Sequence, residues 1–153
     1  MGGAMTKDGE DGEIGGVARR DGVHQLSLRV YYEDTDMAGI VYYANYLRYI
    51  ERARSDWVRG LGIDQLAMKA EGVVFAVRRV EADYISPARF DDVLEVQTRL
   101  ISVTPARMIM GQEVLRGDEV LFRAAVTIVC IGASGKPARL PAKLRSLLPS
   151  KAQ

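Results

Sequence analysis

Residues 45–60 read NYLRYIERARSDWVRG, and their apolar side chains recur at steps of three and four positions. Charged side chains fill most of the positions in between, which is the pattern of a helix with one buried face. At about 1.5 Å per residue this helix is about 24 Å long. We expect it to end at Gly60 or Gly62, and we expect Asp64 to cap a short second helix that runs to Ala70. The apolar set is Leu47, Ile50, Ala53, Trp57, Val58 and Leu61.

The sequence on both sides of these helices predicts strands. Apolar and polar side chains alternate before the helix, at the period of a half-buried strand. Gly117 and Asp118 are a two-residue hairpin signal, so we expect the last two strands to pair antiparallel. The last strand is apolar on both faces, which favours a position inside the sheet. The predicted strands are residues 26–33, 73–85, 93–103, 108–115 and 120–131.

This order of elements predicts an α+β domain with one antiparallel sheet. The sheet must cover an apolar face, and the long helix is the only predicted element able to do so. Residues 1–24 contain seven glycines and almost no large side chain, so we expect a disordered extension there. The predicted domain therefore covers residues 25–149, and residues 150–153 are expected to be flexible.

Composition excludes several classes of protein. The net charge of +1 is far from the basic balance that nucleic-acid binding requires. One cysteine, Cys130, and one histidine, His24, cannot form an internal disulfide or a His/Cys zinc site. His24 also lies beside the glycine-rich segment, which argues against a hydrolase with a histidine base. Any hydrolytic chemistry is therefore expected to use carboxylates.

The apolar segments are too short for a membrane span. The longest uncharged apolar run, residues 124–133, falls well below the roughly 18 to 20 residues that cross a bilayer. The first residues lack the basic-then-apolar pattern of a signal peptide. We expect no transmembrane segment and a cytoplasmic location.

Two carboxylates precede the long helix. Asp34 and Asp36 lie in a loop that passes through Gly39 and continues into the helix start. The first amides of a helix have no partner within the helix and attract negative charge. A carboxylate facing such amides can attack a carbonyl, or activate water there, while the amides stabilise the oxyanion. Aspartates at such places also serve as turn formers and caps, so the residues alone leave both interpretations open.

Residues 31–54, YYEDTDMAGIVYYANYLRYIERAR, resemble the signature of the 4-hydroxybenzoyl-CoA thioesterase family. The resemblance is greatest to its YbgC-type subgroup, the acyl-CoA thioesterases associated with the Tol-Pal system. Residues 84–87, 90–98 and 135–137 fit the same family. The resemblance implies the hotdog fold, in which an antiparallel sheet wraps around one long central α-helix. It also implies paired protomers with thioester sites at their interface.

The resemblance assigns roles to residues before and at the helix start. It implies that Asp36 is the catalytic carboxylate and that the backbone amide of Tyr43 polarises the thioester carbonyl. Much of the subgroup has histidine where this chain has Tyr43, so a role of that histidine does not carry over. Asp34 is expected to form loop hydrogen bonds, and Asn45 to fix the helix start. The residues expected to contact substrate are Gly39, Ile40, Val41, Tyr42, Asn45, Tyr46 and Arg107.

Two groups of side chains allow more than one interpretation. The tyrosines at positions 42, 43, 46 and 49 either line an acyl pocket or belong to the core. Arg78, Arg79, Arg89 and Arg107 are candidates for the phosphates of coenzyme A, because guanidinium groups suit phosphate. We favour Arg107, which follows the end of a predicted strand at a place where family members carry basic residues.

The function expected from the resemblance is hydrolysis of acyl-CoA to a free acid and coenzyme A. Asp36 would act as nucleophile or as general base, with no metal and no cofactor beyond the coenzyme A of the substrate. The alternative is a non-catalytic hotdog scaffold that binds acyl-CoA or acyl carrier protein beside lipid or envelope machinery. A hotdog dehydratase is disfavoured because those enzymes rely on a histidine. The expected assembly is a homodimer or a tetramer of hotdog dimers, with acyl carrier protein as a further candidate partner.

Overall fold

The computed structural model describes residues 14–18 and 22–147, which form seven strands and three α-helices. A short 3₁₀ turn, Tyr32–Asp34, precedes the long helix. The strands are β1 (Ile14–Ala18), β2 (His24–Arg29), β3 (Val74–Tyr84), β4 (Val93–Val103), β5 (Arg107–Arg116), β6 (Glu119–Ile131) and β7 (Pro137–Ala138). The helices are α1 (Asn45–Gly60) and α2 (Gln65–Ala70), between β2 and β3, and α3 (Ala142–Arg145) after β7.

All the strands belong to one antiparallel sheet. Its order is β1-β2-β4-β5-β6-β3, and the short β7 pairs with the end of β6. The predicted hairpin joins β5 to β6, with Gly117 at a φ of +61° in the turn. Because β6 has β5 on one side and β3 on the other, the prediction that it lies inside the sheet is confirmed.

Helix α1 covers one face of this sheet. Its buried residues are Tyr46, Tyr49, Ile50, Ala53 and Val58. The first four of them share one core cluster with the inward side chains of β2, β4, β5 and β6. The buried face of α1 is rotated slightly about the helix axis from the predicted face. Leu47 is 40% exposed, whereas Tyr46 and Tyr49 face the core. A tyrosine ring buries a large apolar area, and its hydroxyl can still reach a polar partner.

The helix ends follow the sequence signals. Helix α1 ends at Gly60, and Gly62 takes the left-handed conformation just beyond it, with a φ of +83°. Asp64 precedes α2, and its side chain accepts hydrogen bonds from the amides of Leu66 and Ala67. The predicted cap of the second helix is therefore confirmed.

The expectation of a disordered segment at residues 1–24 needs correction. Residues 14–18 form β1, which pairs antiparallel with β2, and His24 begins β2. A glycine-rich segment has weak strand propensity, but the open edge of β2 offers unpaired backbone groups to any extended neighbour. Residues 1–13 and 19–21, and the tail at 148–153, lie outside the described residues.

Strand β3 lies at the opposite edge of the sheet from β1. It pairs with β6 along its length, and within the described ranges no strand pairs with its other side. Most of its residues are exposed, including the apolar Val77 and Val80 at 48% and 39%. Long edges of this kind are templates for pairing with another chain.

Candidate active site

A small hairpin carries the Asp36 carboxylate. Thr35 and Val41 form an antiparallel bridge, and the Asp36 amide donates to the carbonyl oxygen of Ile40 at 2.9 Å. Gly39 closes the turn with a φ of +79°, which only glycine adopts without steric cost. The loop that the sequence predicted is thus a folded turn with internal hydrogen bonds.

The Asp36 side chain is exposed and held at one oxygen. Oδ1 accepts a hydrogen bond from the Ala38 amide at 2.9 Å. The other carboxylate oxygen makes no hydrogen bond with any residue that the structure describes. This arrangement fixes the orientation of the carboxylate and leaves one oxygen available for chemistry.

The hairpin is fastened to the loop that follows β3. The Val41 amide donates to the carbonyl oxygen of Ala88 at 2.8 Å, and Ile40 forms an isolated bridge with Arg89. Val41 and Ala88 are both buried. The carboxylate loop therefore sits on a packed support.

Asp34 ties the hairpin to the start of α1. Its carbonyl oxygen accepts from the Tyr42 amide and from Nδ2 of Asn45, each at 2.9 Å. Its side chain accepts from the Tyr31 amide at 2.8 Å, which agrees with the expected loop role. Asn45 differs from expectation, because its side chain caps no helix amide and instead holds the backbone of this loop. It thereby sets the carboxylate loop against the helix start.

Two amides at the start of α1 are free. The amides of Asn45, Tyr46 and Leu47 donate to the carbonyls three residues earlier. The amides of Tyr43 and Ala44 donate no hydrogen bond to any residue in the described part of the chain. The positive end of the helix dipole thus coincides with two unpaired donors, which is a suitable place for an oxyanion.

A largely apolar pocket lies beside these amides, with a cavity volume of ≈ 300 Å³. Of the residues expected to contact substrate, it brings together Ile40, Val41 and Tyr46, and Tyr43 also lines it. Gly39, Tyr42 and Asn45 adjoin it along the chain. The opposite side of the pocket is formed by residues to which no role was assigned from the sequence: Tyr84, Ile85, Ser86 and Pro87. Its signal was the match of residues 84–87 to the family.

The four tyrosines divide into two pairs. Tyr42 and Tyr43 are exposed, at 47% and 62%, with ring centroids 5.0 Å apart. Tyr46 and Tyr49 are buried in the core. Tyr49 therefore belongs to the core, Tyr43 lines the pocket, and Tyr46 belongs to both.

Burial raises the pKa of the two buried tyrosines, Tyr46 and Tyr49. Tyr46 accepts a hydrogen bond from the Ala88 amide at 2.9 Å, and desolvation raises the pKa of its hydroxyl. Burial likewise raises the pKa of Tyr49, and the nearby Asp34 carboxylate raises it further. The Asp34 carboxylate is the polar group that acts on the buried Tyr49 hydroxyl. Both groups remain neutral at physiological pH.

The basic candidates lie at opposite ends of the sheet. Tyr84 pairs with Phe122 on β6, whereas Arg107 pairs with Val129, seven residues further along that strand. At roughly 3.3 Å per residue, Arg107 lies about 23 Å from the pocket of its own chain. Arg89, by contrast, adjoins Ile40, and its guanidinium has no partner among the described residues.

His24 lies away from this site and is well held. Its Nε2 is 2.8 Å from the Asp56 carboxylate, and the residue is only 5% exposed. Its place beside the glycine-rich segment therefore does not leave the imidazole loosely held, because His24 begins β2 and contacts Asp56 of α1. Asp56 is eleven residues after Asn45, about 16 Å along α1. His24 therefore lies outside the candidate site.

Within the described residues, no cluster of three or more His, Cys, Asp or Glu side chains could hold a metal ion. No helix in that part of the chain has the length and apolar character to cross a bilayer.

Comparison with known proteins shows which family this chain belongs to. Residues 30–148 match the thioesterase-like superfamily. The acyl-CoA thioester hydrolase YbgC of Escherichia coli O6:H1 is 40% identical over 116 residues, 74% of this chain and 87% of that protein. The acyl-CoA thioesterase YbgC of Haemophilus influenzae is 34% identical over 128 residues, 82% of this chain and 94% of that protein.

The fold of this chain is also similar to that of a solved structure. A Bartonella henselae protein, described as a probable thioesterase, superposes with a TM-score of 0.75 at 38% identity, covering 78% of this chain and 99% of that one. Its agreement with the sheet and helix described above confirms the expected fold. The chain therefore belongs to the thioesterase-like superfamily, with the hotdog fold and YbgC-type acyl-CoA thioesterases among its relatives.

Proposed function

We propose that this protein hydrolyses acyl-CoA thioesters, with Asp36 as the catalytic carboxylate and the helix-start amides as oxyanion donors. One observation carries the proposal: a carboxylate with one oxygen held by Ala38 precedes two free amides, and a largely apolar pocket lies beside those amides. The names of the relatives at 34% and 40% identity favour catalysis over the alternative of a non-catalytic scaffold.

The Asp36 carboxylate can act in two ways. As a nucleophile, its free oxygen attacks the thioester carbon, coenzyme A leaves as a thiolate that takes a proton from solvent, and water then hydrolyses the acyl-enzyme anhydride. As a general base, the carboxylate takes a proton from water while that water attacks the thioester carbon, and the proton then passes to the departing thiolate. In both forms the amides of Tyr43 and Ala44 stabilise the negative oxygen. Neither form needs a metal or a further cofactor.

We assign a positioning role to Asn45. Its side chain and the Tyr42 amide share the Asp34 carbonyl oxygen as acceptor, so the hairpin and the helix start are held together. The distance from carboxylate to oxyanion amides depends on this contact. This structural role comes in addition to the substrate-contact role expected for Asn45, which stays a prediction.

We propose that Arg89 binds the phosphates of a coenzyme A molecule held in the site of the same chain. This arginine adjoins Ile40 of the hairpin, and its exposed guanidinium pairs with no side chain in residues 22–147. Arg107 lies too far away to serve the same site. If two copies pair antiparallel through β3, the strand direction reverses, and Arg107 of one copy moves toward the site of the other.

We propose a homodimer that pairs two β3 strands, with tetramers formed from such dimers. The free edge of β3 and its exposed valines support this assembly. The exposure of Asp36, Tyr42 and Tyr43 also fits a site that a second copy partly covers. The resemblance to YbgC-type enzymes supports a cytoplasmic location and an association with the Tol-Pal system. Acyl carrier protein is a further candidate carrier of the acyl group.

A substrate screen tests the function. Short, medium and long straight-chain acyl-CoA esters, aromatic acyl-CoA esters and acyl carrier protein conjugates are each offered to wild-type protein and to Asp36→Asn. We expect at least one class to give a kcat/KM of about 10⁴ M⁻¹s⁻¹ or more with the wild type. Hydrolysis no faster with the wild type than with Asp36→Asn, for every ester, contradicts the proposal.

A further inference from the structure

Tyr84, the last residue of β3, reaches the backbone of the helix start. Its hydroxyl donates a hydrogen bond to the carbonyl oxygen of Tyr43 at 3.0 Å. The same oxygen accepts from the Tyr46 amide at the longer distance of 3.4 Å. The tyrosine hydroxyl therefore makes the shorter of the two hydrogen bonds to this carbonyl.

The ring that carries this hydroxyl is packed among other aromatic rings. Its centroid lies 4.9 Å from Phe122, 5.6 Å from Tyr46 and 6.1 Å from Tyr43. Partners on β6 and on α1 thus fix the ring from two elements. A hydroxyl on a fixed ring holds its acceptor in one place.

The carbonyl that Tyr84 binds belongs to the peptide unit shared by Tyr43 and Ala44. Since a peptide unit is planar, fixing its C=O also fixes the direction of the Ala44 N–H. Donation to the carbonyl polarises the unit and strengthens the N–H as a donor. Both properties matter at an oxyanion site, where donors must be aimed before charge develops.

We propose that Tyr84 is a positioning residue, which holds the peptide unit of Tyr43 and Ala44 so that its free amide faces the thioester oxygen. The inference rests on the proposed function and adds a residue to its machinery. Burial raises the pKa of Tyr84, so its hydroxyl remains a donor at neutral and mildly alkaline pH. Tyr84 acts through the backbone and takes part in no bond-making step.

Tyr84→Phe tests the role of the hydroxyl, because it keeps the ring and its packing. Direct removal of an oxyanion donor costs about 10² to 10³ in kcat, and an indirect contact costs less. We expect kcat to fall about tenfold, with KM within about twofold of wild type and the same sedimentation behaviour. Tyr32→Phe is the control, since Tyr32 is 80% exposed and lies outside the site. A kcat for Tyr84→Phe within twofold of the control overturns the inference.

A spectroscopic measurement reports on the same peptide without turnover. Tyr43-Ala44 is the sole Tyr-Ala pair in the sequence, so carbonyl-¹³C tyrosine with ¹⁵N alanine gives one correlated NMR signal. We expect this signal to shift in Tyr84→Phe and to stay in place in Tyr32→Phe. An unshifted signal overturns the inference. A shifted signal with unchanged kcat overturns the positioning role alone, whereas a wild-type protein inactive on every ester overturns the proposed function as well.

Discussion

The decisive perturbation of the site is Asp36→Asn. The substituted side chain keeps an oxygen that can accept from the Ala38 amide, so the hairpin can retain its shape. The change removes the negative charge, and with it the nucleophile or base. The side chain is exposed, so we expect the free energy of unfolding to stay within about 0.5 kcal/mol of wild type. That corresponds to a melting temperature within about 2 °C.

The expected loss of activity is much larger than this. Removing the one essential group of a site lowers kcat by at least about a thousandfold, or about 4 kcal/mol of transition-state stabilisation. The amides of Tyr43 and Ala44 remain, so some turnover above the uncatalysed rate is expected. KM is expected to change little, because the pocket does not include the carboxylate.

The assay follows the free thiol of coenzyme A with a thiol reagent. The protein contributes little background, because Cys130 is buried and its pKa is raised to about 11. Asp34→Asn is the matched control, since it removes a charge two residues away while an acceptor for the Tyr31 amide remains. A kcat for Asp36→Asn within about tenfold of wild type refutes the assignment. So does an equal loss in Asp34→Asn.

Three further outcomes are expected. Tyr46→Phe leaves the buried Ala88 amide without its acceptor, which lowers the free energy of unfolding by about 1–3 kcal/mol in denaturant titrations; an unchanged midpoint would contradict this. Replacing Val77 and Val80 by lysine places charge on the free edge of β3 and should convert dimers to monomers in sedimentation; a wild type that sediments only as a 16.9 kDa monomer at micromolar concentration would refute the assembly. Tyr43→Phe keeps the backbone amide, so kcat should stay within a few-fold of wild type, and a hundredfold loss would make the phenol hydroxyl the working group.

Most regular elements of this fold could be predicted because their periodicity is local. The residues of α1 and β4 were predicted to the residue, and the other main strands to within one or two positions at most ends. Strand β1 could not be predicted, since its glycines gain order only from the edge of β2. Which side of α1 is buried also depends on tertiary contacts, because the Tyr46 hydroxyl accepts a hydrogen bond from the Ala88 amide inside the core.

The candidate site divides in the same way. Asp36, Gly39 and the helix start are contiguous in sequence, so a motif could reveal them. Tyr84 and Arg89 reach the site from a strand and a loop that follow it by about forty to fifty residues. Residues 84–87 match the family, but the hydrogen bond and the bridge that bring these two residues to the site depend on tertiary contacts. Arg107 was favoured because it follows the end of the strand at residues 93–103, and the antiparallel register of β5 and β6 places it far from the pocket of its own chain.

The sheet order imposes an order on folding. Strands β4, β5 and β6 form a meander with short turns, so their pairing closes small loops and is expected early. Strand β3 precedes this meander in the chain but can dock only when β6 is in place, across the long segment from Tyr84 to Glu119. Its docking therefore has the higher loop-closure cost and comes late. The pocket wall begins at Tyr84, the last residue of this late strand, and the free edge is its other side, so a partly folded chain has neither a finished site nor a surface for its partner.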